Sequence, residues 1–538
     1  MREDPRIGLH HRRRVLPAVV ALILALLAPG LAFAHAALVD AQPADGGVVP
    51  TAPDRFMLEF NEPVSPLVLR LIGADGSVTL LERYDLQDKT LAVEAPELAE
   101  GTHVLSWRVV SEDGHPIGGS VVFSIGAPSV SGPPAIPDGI GPPARAGIWL
   151  AKVGLYLGLF LGLGGAFFLG WIAPDGAGRR SRTVVASVIV AGLLAAPVSL
   201  GLQGIDALDL TLDGLSTAAP WKTGFATSYG SSVLVAILAF LAGLASLYAK
   251  PVRIRRLLSL AGIAGVGLAL AASGHASAAS PQWLTRPAVF AHGVAVAFWI
   301  GALMPLGFLL AGNGAGSRPA LLRFSQLIPV FVAVLLVAGG VLAVIQVGMP
   351  SALLETDYGR VLLVKLVLLA ALLGLAAVNR WRLTATVATG GGRKLARAIA
   401  LETVLALAII GTAAVWRFTP PPRVLAIEAT KPAKQHVHTE RVMADLTVTP
   451  GRAGPTSVDI ILRSPDFAPF AAKEVTLVLA NPGSGIEPIR RKASMDGEGT
   501  WSIDELQLPL AGVWAFSIDV LVSDYELLKL EAAIEIRR

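Results

Sequence analysis

The stretch TDYGRVLLVKLVLLAALLGLAAVNRWRL, residues 356–383, decides the fold class of the chain. Between Arg360 and Arg380 the only charged side chain is that of Lys365. A helix of about 20 apolar residues is long enough to cross the hydrocarbon core of a bilayer. The stretch therefore predicts a transmembrane helix with an arginine at each end.

The rest of the chain has the composition of a membrane protein. Of its 538 residues, 53% are hydrophobic and 16% are charged, and the mean hydropathy is +0.61. Eight apolar runs are long enough to span a bilayer as helices. They cover residues 147–173, 183–203, 230–249, 256–275, 288–311, 324–347, 360–379 and 397–418. We therefore predict a transmembrane domain of eight helices that is surrounded by lipid. The basic residues form short runs between apolar segments, which argues against a nucleic-acid partner.

The regions on either side of the helices have the pattern of β-structure. Residues 35–126 contain alternating runs such as RFMLEF and HVLSWRVV, which are separated by turn sequences such as GADGS. Residues 419–538 repeat this pattern in runs such as EVTLVLAN. Short alternating runs between turns are typical of antiparallel β-sandwiches. A Pro/Gly-rich linker, residues 127–146, joins the first region to the helices. The predicted fold is that of a mixed membrane protein: a β-sandwich, then an eight-helix transmembrane bundle, then a second β-sandwich along the chain.

The N-terminus indicates on which side of the membrane the sandwiches lie. A basic segment and a short apolar run precede Ala32-Phe33-Ala34, which is a typical signal-peptide cleavage site. We predict that residues 1–34 are removed, so that the mature chain begins at His35 outside the cytoplasm. An uncleaved membrane anchor is the alternative reading.

The charges of the loops agree with this orientation. Three outward loop residues are basic (Lys222, Arg286 and Arg360), whereas the loops that would face inward hold fourteen basic residues. These fourteen are Arg179, Arg180, Arg182, Lys250, Arg253, Arg255, Arg256, Arg318, Arg323, Arg380, Arg382, Arg393, Lys394 and Arg397. The positive-inside rule therefore predicts that both termini of the mature chain lie outside the cytoplasm. The predicted location is the bacterial inner membrane.

The sequence also contains candidate metal ligands. The chain has no cysteine, which excludes thiolate sites and disulfides. An N-terminal His35 would offer its amine and its imidazole Nδ1 to one metal ion. Asp113 and His115 are two residues apart in an extended segment and would project from one side of it. Nitrogen-rich tetragonal sites favour Cu(II). The alternative is that Asp113 and His115 belong to an ordinary exposed turn.

Two long segments resemble copper-handling families. HAALVDAQPADGGVVPTAPDRFMLEFNEPV (35–64) and WRVVSEDGHPIGGSVVFSI (107–125) resemble the CopC domain. The resemblance implies a Cu(II) site formed by His35, Asp113 and His115. The methionine-rich Cu(I) site of that family has no counterpart here, since Met57 is the only methionine in the region.

The helical region resembles the CopD family. The resemblance rests on SGHAS (273–277), AHGVAVAFWIGAL (291–303), RFSQLIPV (323–330) and the stretch quoted first. Fusion of the two domains resembles copper-uptake proteins, and the C-terminal sandwich distantly resembles domains of the YtkA type.

Ionisable residues within the membrane are candidates for function. His275 ends the fourth run and His292 lies about one turn into the fifth, so we predict that they share a copper ion near the outer leaflet, with Cu(I) as a candidate oxidation state. The alternative is that each histidine only caps a helix end. Glu402 and Arg380 are predicted to form a structural ion pair at the inner side, and Lys365 to extend its amine towards the outer interface.

Two groups of histidines outside the membrane carry weaker predictions. His436 and His438 would share one face of a strand and are candidate metal ligands, although an exposed linker is the preferred reading. His103 is predicted to be an ordinary strand residue.

These features favour a copper-binding membrane protein over an enzyme. It would capture Cu(II) outside the cytoplasm, with extracytoplasmic copper chaperones as candidate partners, and pass copper to or across the membrane. One alternative is a haem- or copper-dependent electron-transfer protein that reduces Cu(II), since transmembrane histidines can bind haem. Another is a passive copper buffer. The sequence has no hydrolase motif and no nucleotide-binding loop.

Overall fold

We analysed a computed structural model of the chain. It describes residues 38–60, 63–111, 116–127, 129, 141–174, 178–312, 316–383, 392–465, 468–481, 484, 486–496, 499–523 and 525–537.

The N-terminal region is a β-sandwich of nine described strands. These are β1 (Leu38–Gln42), β2 (Gly47–Val49), β3 (Arg55–Phe60), β4 (Val64–Ile72), β5 (Val78–Leu80), β6 (Tyr84–Gln87), β7 (Thr90–Glu94), β8 (Gly101–Ser111) and β9 (Pro116–Ile125). One sheet has the order β1-β3-β7-β6 and the other has the order β2-β9-β8-β4-β5. Alternate residues of β3 are buried, as the period of two requires. They join a core in which the rings of Phe56 and Phe123 lie 5.4 Å apart.

The helical region has eight described helices that are long and apolar enough to cross a membrane, as the sequence predicts. The helices of this region are α1 (Pro142–Ile172), α2 (Arg179–Leu208), the short α3 (Ala219–Ala226), α4 (Ser228–Tyr248), α5 (Val252–Ala271), α6 (Gln282–Ala311), α7 (Ser317–Val347), α8 (Asp357–Leu383), α9 (Gly392–Val415) and the short α10 (Pro422–Ala429). The spanning segment that contains α9 continues to Ala426.

Glycines allow the central helices to approach closely. A Cβ atom on Gly158 of α1 would lie 2.5 Å from the Cα of Gly192 on α2. A Cβ atom on Gly301 of α6 would collide with the backbone of α1 at Gly164. Small residues at such crossings let backbones pack closely against each other. This packing holds the helices together in lipid, where the hydrophobic effect does not drive helices to associate.

The spanning helices differ in how much of their surface is packed against protein. In the most apolar segments of α1 and α6, 67% of residues are buried, compared with 11% in α7 and in α8. Helices α1 and α6 therefore form the centre of the bundle, whereas α7 and α8 present most of their surface to lipid.

The C-terminal region is a second β-sandwich. Its strands are β10 (Ala433–His438), β11 (Met443–Thr449), β12 (Gly454–Arg463), β13 (Glu474–Asn481), β14 (Ile486–Lys492), β15 (Ser494–Met495), β16 (Thr500–Leu508), β17 (Gly512–Ser523) and β18 (Glu526–Ile536). The two sheets have the orders β10-β11-β12-β16-β15 and β14-β13-β17-β18. The fully buried Trp514 lies in the core between them. The predicted fold class is confirmed: along the chain, an N-terminal β-sandwich is followed by eight helices that could span a membrane and then by a C-terminal β-sandwich.

Candidate metal centre

The strands of the N-terminal domain bring the flanks of the predicted Cu(II) ligands to one end of the sandwich. Leu38 at the start of β1 pairs with Phe60 at the end of β3. Four residues later, Val64 at the start of β4 pairs with Ser111 at the end of β8. Pro116, the first residue of β9, pairs with Val110. Both sequence neighbourhoods of the predicted site therefore meet at this end of the sandwich.

The three predicted ligands themselves, His35, Asp113 and His115, lie outside the described residues. Their assignment to one Cu(II) ion stays a prediction. The backbone topology supports this prediction. Leu38, three residues after His35, lies at the same end of the domain as the end of β8 and the start of β9.

An aromatic layer lies within the sandwich close to this end. The rings of Phe60 and Trp107 meet edge to face, with their centroids 5.2 Å apart. The Trp107 ring covers Gly119, where a Cβ atom would lie 2.5 Å from the ring. Glycine is therefore required opposite Trp107, because the indole lies directly over the backbone of β9 there. A rigid layer of this kind helps to hold ligands in position beside it.

His103 is a core residue of β8, as predicted. Its side chain is buried, its Nε2 atom lies 2.8 Å from the carbonyl oxygen of Ala99, and its ring stacks on Phe123. These contacts account for the histidine structurally.

In the membrane domain, His292 lies deeper than the sequence indicates. Helix α6 begins at Gln282, so His292 is almost three turns into it. The prediction of one turn was wrong because the polar segment before the apolar run is also helical. The imidazole packs against Gly339 of α7, where a Cβ atom would lie 3.3 Å from Nδ1. Glycine at this position makes room for the ring.

One nitrogen of the His292 imidazole has no partner. Its Nδ1 atom is buried and has no hydrogen bond within the described part of the chain. A neutral imidazole nitrogen is the commonest protein ligand of metal ions, so this atom is a candidate ligand.

His275 lies at one end of the bundle, between two spanning helices. It begins a single helical turn, His275–Ala278, between α5 and α6, and its side chain is exposed. The side-chain amide of Gln346 on α7 donates a hydrogen bond of 2.9 Å to the carbonyl oxygen of His275. Gln346 and Gly339 are seven residues apart on α7, or roughly 10 Å along the helix axis. His275 and His292 are therefore at different depths.

The residues that the structure describes contain no group of three or more His, Asp or Glu side chains that could hold a metal ion. A copper ion shared by His275 and His292 stays a prediction, and it would require the His275 side chain to turn inward. Sequence reasoning missed Gln346 and Gly339, which position these histidines. A buried glutamine within an apolar run was the signal available for Gln346.

Lys365 is held within the bundle by aromatic side chains. Its amine lies 4.5 Å from the ring centroid of Trp416, and Trp416 stacks on Tyr358 with 5.0 Å between centroids. The Trp416 indole also donates a hydrogen bond to the Tyr358 carbonyl oxygen. The contact with Trp416 is a cation–π interaction, which stabilises an ammonium group in an apolar setting. Lys365 is also close enough to His292 to act on it electrostatically.

The predicted ion pair between Arg380 and Glu402 is wrong. Glu402 is buried and accepts a hydrogen bond of 2.6 Å from the side-chain amide of Asn379. Arg380 instead donates to the backbone and side-chain oxygens of Ser325 on α7. The helix changes to π-helical geometry at Asn379–Leu383, which rotates Asn379 to the position facing Glu402 and turns Arg380 away.

In the C-terminal domain, His436 belongs to strand β10 and not to an exposed linker. Its Nδ1 atom lies 2.6 Å from Asp445, the residue directly opposite on β11. Arg463 donates a hydrogen bond of 2.5 Å to the other oxygen of Asp445. Burial raises the pKa of Asp445, but the hydrogen bond with His436 and the charge of Arg463 outweigh burial, so the pKa lies below its usual value. His438 is in the same strand, and its side chain is outside the described part of the structure.

Comparison with known protein families identifies three parts of the chain. Models of three families match it: the CopC domain over residues 38–126, the copper resistance protein D-like N-terminal domain over residues 144–283, and copper resistance protein D over residues 318–416. Together these matches cover the N-terminal sandwich and most of the helical bundle.

Individual proteins are similar to the whole chain or to its N-terminal domain. The chain is 23% identical to the copper transport protein CutJ of Bacillus subtilis (strain 168), over 94% of this chain and 97% of that protein. It is 33% identical to copper resistance protein C of Xanthomonas campestris pv. juglandis, over 21% of this chain and 96% of that protein. The crystal structure of CopC from Methylosinus trichosporium OB3b matches with 32% identity, over 17% of this chain and 93% of that chain, with a TM-score of 0.16. The chain therefore belongs to the copper resistance proteins, as a multi-pass membrane member that carries a CopC domain and a CopD domain in one chain.

Proposed function

We propose that the protein captures Cu(II) outside the cytoplasm and passes copper to or across the inner membrane. The observation that carries this proposal is the fusion of a CopC domain with a CopD domain and eight spanning helices. A relative that is similar over 94% of the chain is called a copper transport protein. In this proposal the chain is a copper carrier and not an enzyme.

The capture step uses the N-terminal domain. His35 supplies an amine and an imidazole nitrogen after signal-peptide cleavage, and Asp113 and His115 supply a carboxylate and a second imidazole. Nitrogen and oxygen donors without sulfur suit Cu(II). The pairing of β1 with β3, and of β4 with β8, supports this grouping because it brings the flanking backbone to one end of the sandwich.

The transfer step uses the membrane domain. His292 supports it because it has a buried, unpaired Nδ1 atom among spanning helices, and His275 is a second candidate ligand nearer the outside. Unpaired polar groups in the bilayer are costly, and they are usually retained for function. Lys365 near His292 would repel a bound cation, which would favour transient binding over tight storage.

The proposed topology has both termini of the mature chain outside and the fourteen basic loop residues inside. Protease added to intact spheroplasts should therefore cleave residues 430–538. If this region is protected under conditions in which an extracytoplasmic control protein is cleaved, the topology is wrong.

The proposed function is tested by copper accumulation in cells that contain or lack the protein. A carrier changes the copper content of the cytoplasmic fraction, whereas a passive buffer changes only the copper outside the membrane. Absorption spectra of the purified protein test the electron-transfer alternative, since a bound haem gives a Soret band. Unchanged cytoplasmic copper in cells that produce the protein at normal levels would contradict the proposal.

A further inference from the structure

Glu402 differs from the other acidic side chains of the spanning helices. The eight spanning segments that the structure describes contain three acidic residues, Asp206, Asp357 and Glu402. Asp206 forms an ion pair with Arg417, and Asp357 forms one of 3.1 Å with Arg360. Glu402 has no such cation among the described residues. Its partner is a side-chain amide, from which it accepts a hydrogen bond of 2.6 Å.

The carboxyl group of Glu402 is far from water and from the candidate copper ligands. The residue is 4% exposed and lies one turn after the buried Ile399 on α9. A Cβ atom on Gly307 of α6 would lie 3.5 Å from Ile399, so this face of α9 packs against the inner half of α6. Gly307 is fifteen residues after His292, or roughly 22 Å along the helix axis. Glu402 therefore belongs to a separate part of the bundle.

The helices packed against α9 direct no described charge at Glu402. These helices are α1, α6 and α8. Helix α6 has no ionisable side chain after His292, α1 has none after Tyr156, and α8 has none between Lys365 and Arg380. Arg380 donates its hydrogen bonds to α7 instead. The other basic residues at the inner ends of α8 and α9 are exposed: Arg382, Arg393, Lys394 and Arg397.

These surroundings suit a neutral carboxyl group. A carboxylate ion within apolar protein and lipid is costly unless a cation or several hydrogen bonds balance its charge, and Glu402 receives one described hydrogen bond. A protonated carboxyl group avoids this cost, and it both donates and accepts a hydrogen bond. A side-chain amide such as that of Asn379 also does both, through its nitrogen and its oxygen. The pair is therefore matched when a proton is bound.

The local geometry of α8 selects the amide as the partner. The π-helical turn Asn379–Leu383 brings Asn379 to Glu402 and turns the guanidinium group of Arg380 away. An arginine at this place would hold Glu402 as an ion, whereas asparagine does not. Turns of this kind within α-helices are frequent at functional sites. The exposed Arg397 is five residues before Glu402, so cytoplasmic water in the proposed topology is roughly 8 Å away along α9.

We propose that Glu402 is a proton-binding site and that copper movement depends on the proton it carries; the second part rests on the proposed function. The proton comes from water on the cytoplasmic side and forms an O–H bond with a carboxylate oxygen of Glu402. It returns to that water when the bond breaks. The neutral state keeps α8 and α9 packed at Asn379. Loss of the proton leaves a buried charge without a counterion, which favours movement of the carboxylate towards water and separation of the two helices.

The first measurement is the infrared spectrum of the full chain in detergent without copper. A protonated carboxyl group has a carbonyl stretch at a higher frequency than carboxylate and amide groups. At neutral pH, Glu402→Gln should lack a band of this kind that the unmodified protein has. Glutamine has a similar size and still accepts from Asn379, so the variant should fold. The control Glu355→Gln alters an exposed glutamate and should keep the band. Asn379→Leu should shift the band to a higher frequency, because the carbonyl group loses its donor.

The second measurement is copper movement in vesicles that contain the full chain, with copper supplied as Cu(II) and the pH varied on the cytoplasmic side of the protein. A single site loses its proton over roughly two pH units. Over the range in which the infrared band disappears, the unmodified protein should lose at least about tenfold of its rate. Glu402→Gln is neutral at every pH, so its rate should stay constant over the same range.

The two measurements separate this proposal from the proposed function. Identical infrared spectra for the unmodified protein and Glu402→Gln would exclude the proton-binding site. Equal pH profiles of copper movement for these two proteins would exclude the dependence on its proton. If the unmodified protein moves no copper at any pH, the proposed function fails, while the infrared band by itself still supports or excludes the proton-binding site.

Discussion

Gln346 on α7 and the His275 carbonyl oxygen are joined by a hydrogen bond of 2.9 Å, which fastens the turn between α5 and α6 to a neighbouring helix. Gln346 is 2% exposed, so the bond is shielded from water. The substitution Gln346→Leu leaves the carbonyl group without this partner, and we expect a loss of about 1–3 kcal/mol in stability. Copper accumulation should also fall, because the turn that carries His275 loses its anchor. The exposed Gln326 of the same helix provides the control, and Gln326→Leu should change neither property.

The membrane histidines should be separable from the outer site. We expect His292→Ala to abolish copper movement, since it removes the buried unpaired Nδ1 atom, and His275→Ala to reduce it strongly. Cu(II) binding by the outer domain should stay unchanged in both variants. Copper accumulation and Cu(II) titration of the same preparations measure the two properties. Normal accumulation in both variants would show that these histidines have only a structural role.

The free amine of His35 should be essential for Cu(II) capture. One alanine inserted before His35 keeps the side chain but moves the amine away, and we expect Cu(II) affinity to fall by at least about tenfold. Affinity should also fall as the pH decreases, because the amine and the imidazoles must lose protons to bind metal. Titration of residues 35–126 together with electron paramagnetic resonance provides the measurement. Identical affinity and spectra with and without the alanine would remove the amine from the ligand set.

The crossing of α1 and α6 should not tolerate a methyl group. At Gly301 a Cβ atom would collide with backbone at Gly164, so Gly301→Ala should destabilise the bundle by about 1–3 kcal/mol. A methyl group on Gly340 in α7 would have no neighbouring atom within 4 Å among the described residues, and Gly340→Ala should be neutral or stabilising. Thermal unfolding in detergent compares the two variants. Equal unfolding midpoints would mean that the crossing of α1 and α6 accommodates a methyl group at Gly301 without loss of stability.

The C-terminal domain should lose stability in acid through Asp445. Its pKa in the folded protein lies below the ordinary value, so the carboxylate stabilises the fold above the pKa of the unfolded chain, about 4. This contribution is lost as the pH falls from that value through the lower folded pKa. Asp445→Asn should therefore be less stable at neutral pH and less sensitive to acid below about pH 4. Unfolding followed by tryptophan fluorescence between neutral pH and acid checks both statements. Parallel pH profiles for the two proteins would contradict them.

The sequence predicted the large elements because their signals are local. The eight apolar runs and the alternating runs of the sandwiches follow from hydropathy and period alone. The partner of Glu402, Asn379, could not be predicted in this way. It lies at the start of the π-helical turn Asn379–Leu383, and no sequence pattern indicates such a turn. The partner of His436 depended on the register between β10 and β11, which the turn between them sets.

The candidate site was predictable only in part for a similar reason. His292 was found because an ionisable residue within an apolar run is rare and costly. Its depth was misjudged because the polar residues after Gln282 gave no apolar signal, although they continue the helix. Gly339 carries no chemical signal at all. Its role comes from the crossing of α6 and α7, which is a property of the packed bundle.

The packing of α7 has a consequence for access to His292 in the proposed transfer step. This helix covers the imidazole at Gly339, yet only 11% of its most apolar segment is buried in protein. Displacing α7 would break its packing on α6, where Phe331 stacks on Phe298 with 3.7 Å between ring centroids, but it would leave the crossing of α1 and α6 in place. In the proposed transfer step, the contact between α6 and α7 is therefore the one that controls access to the histidine.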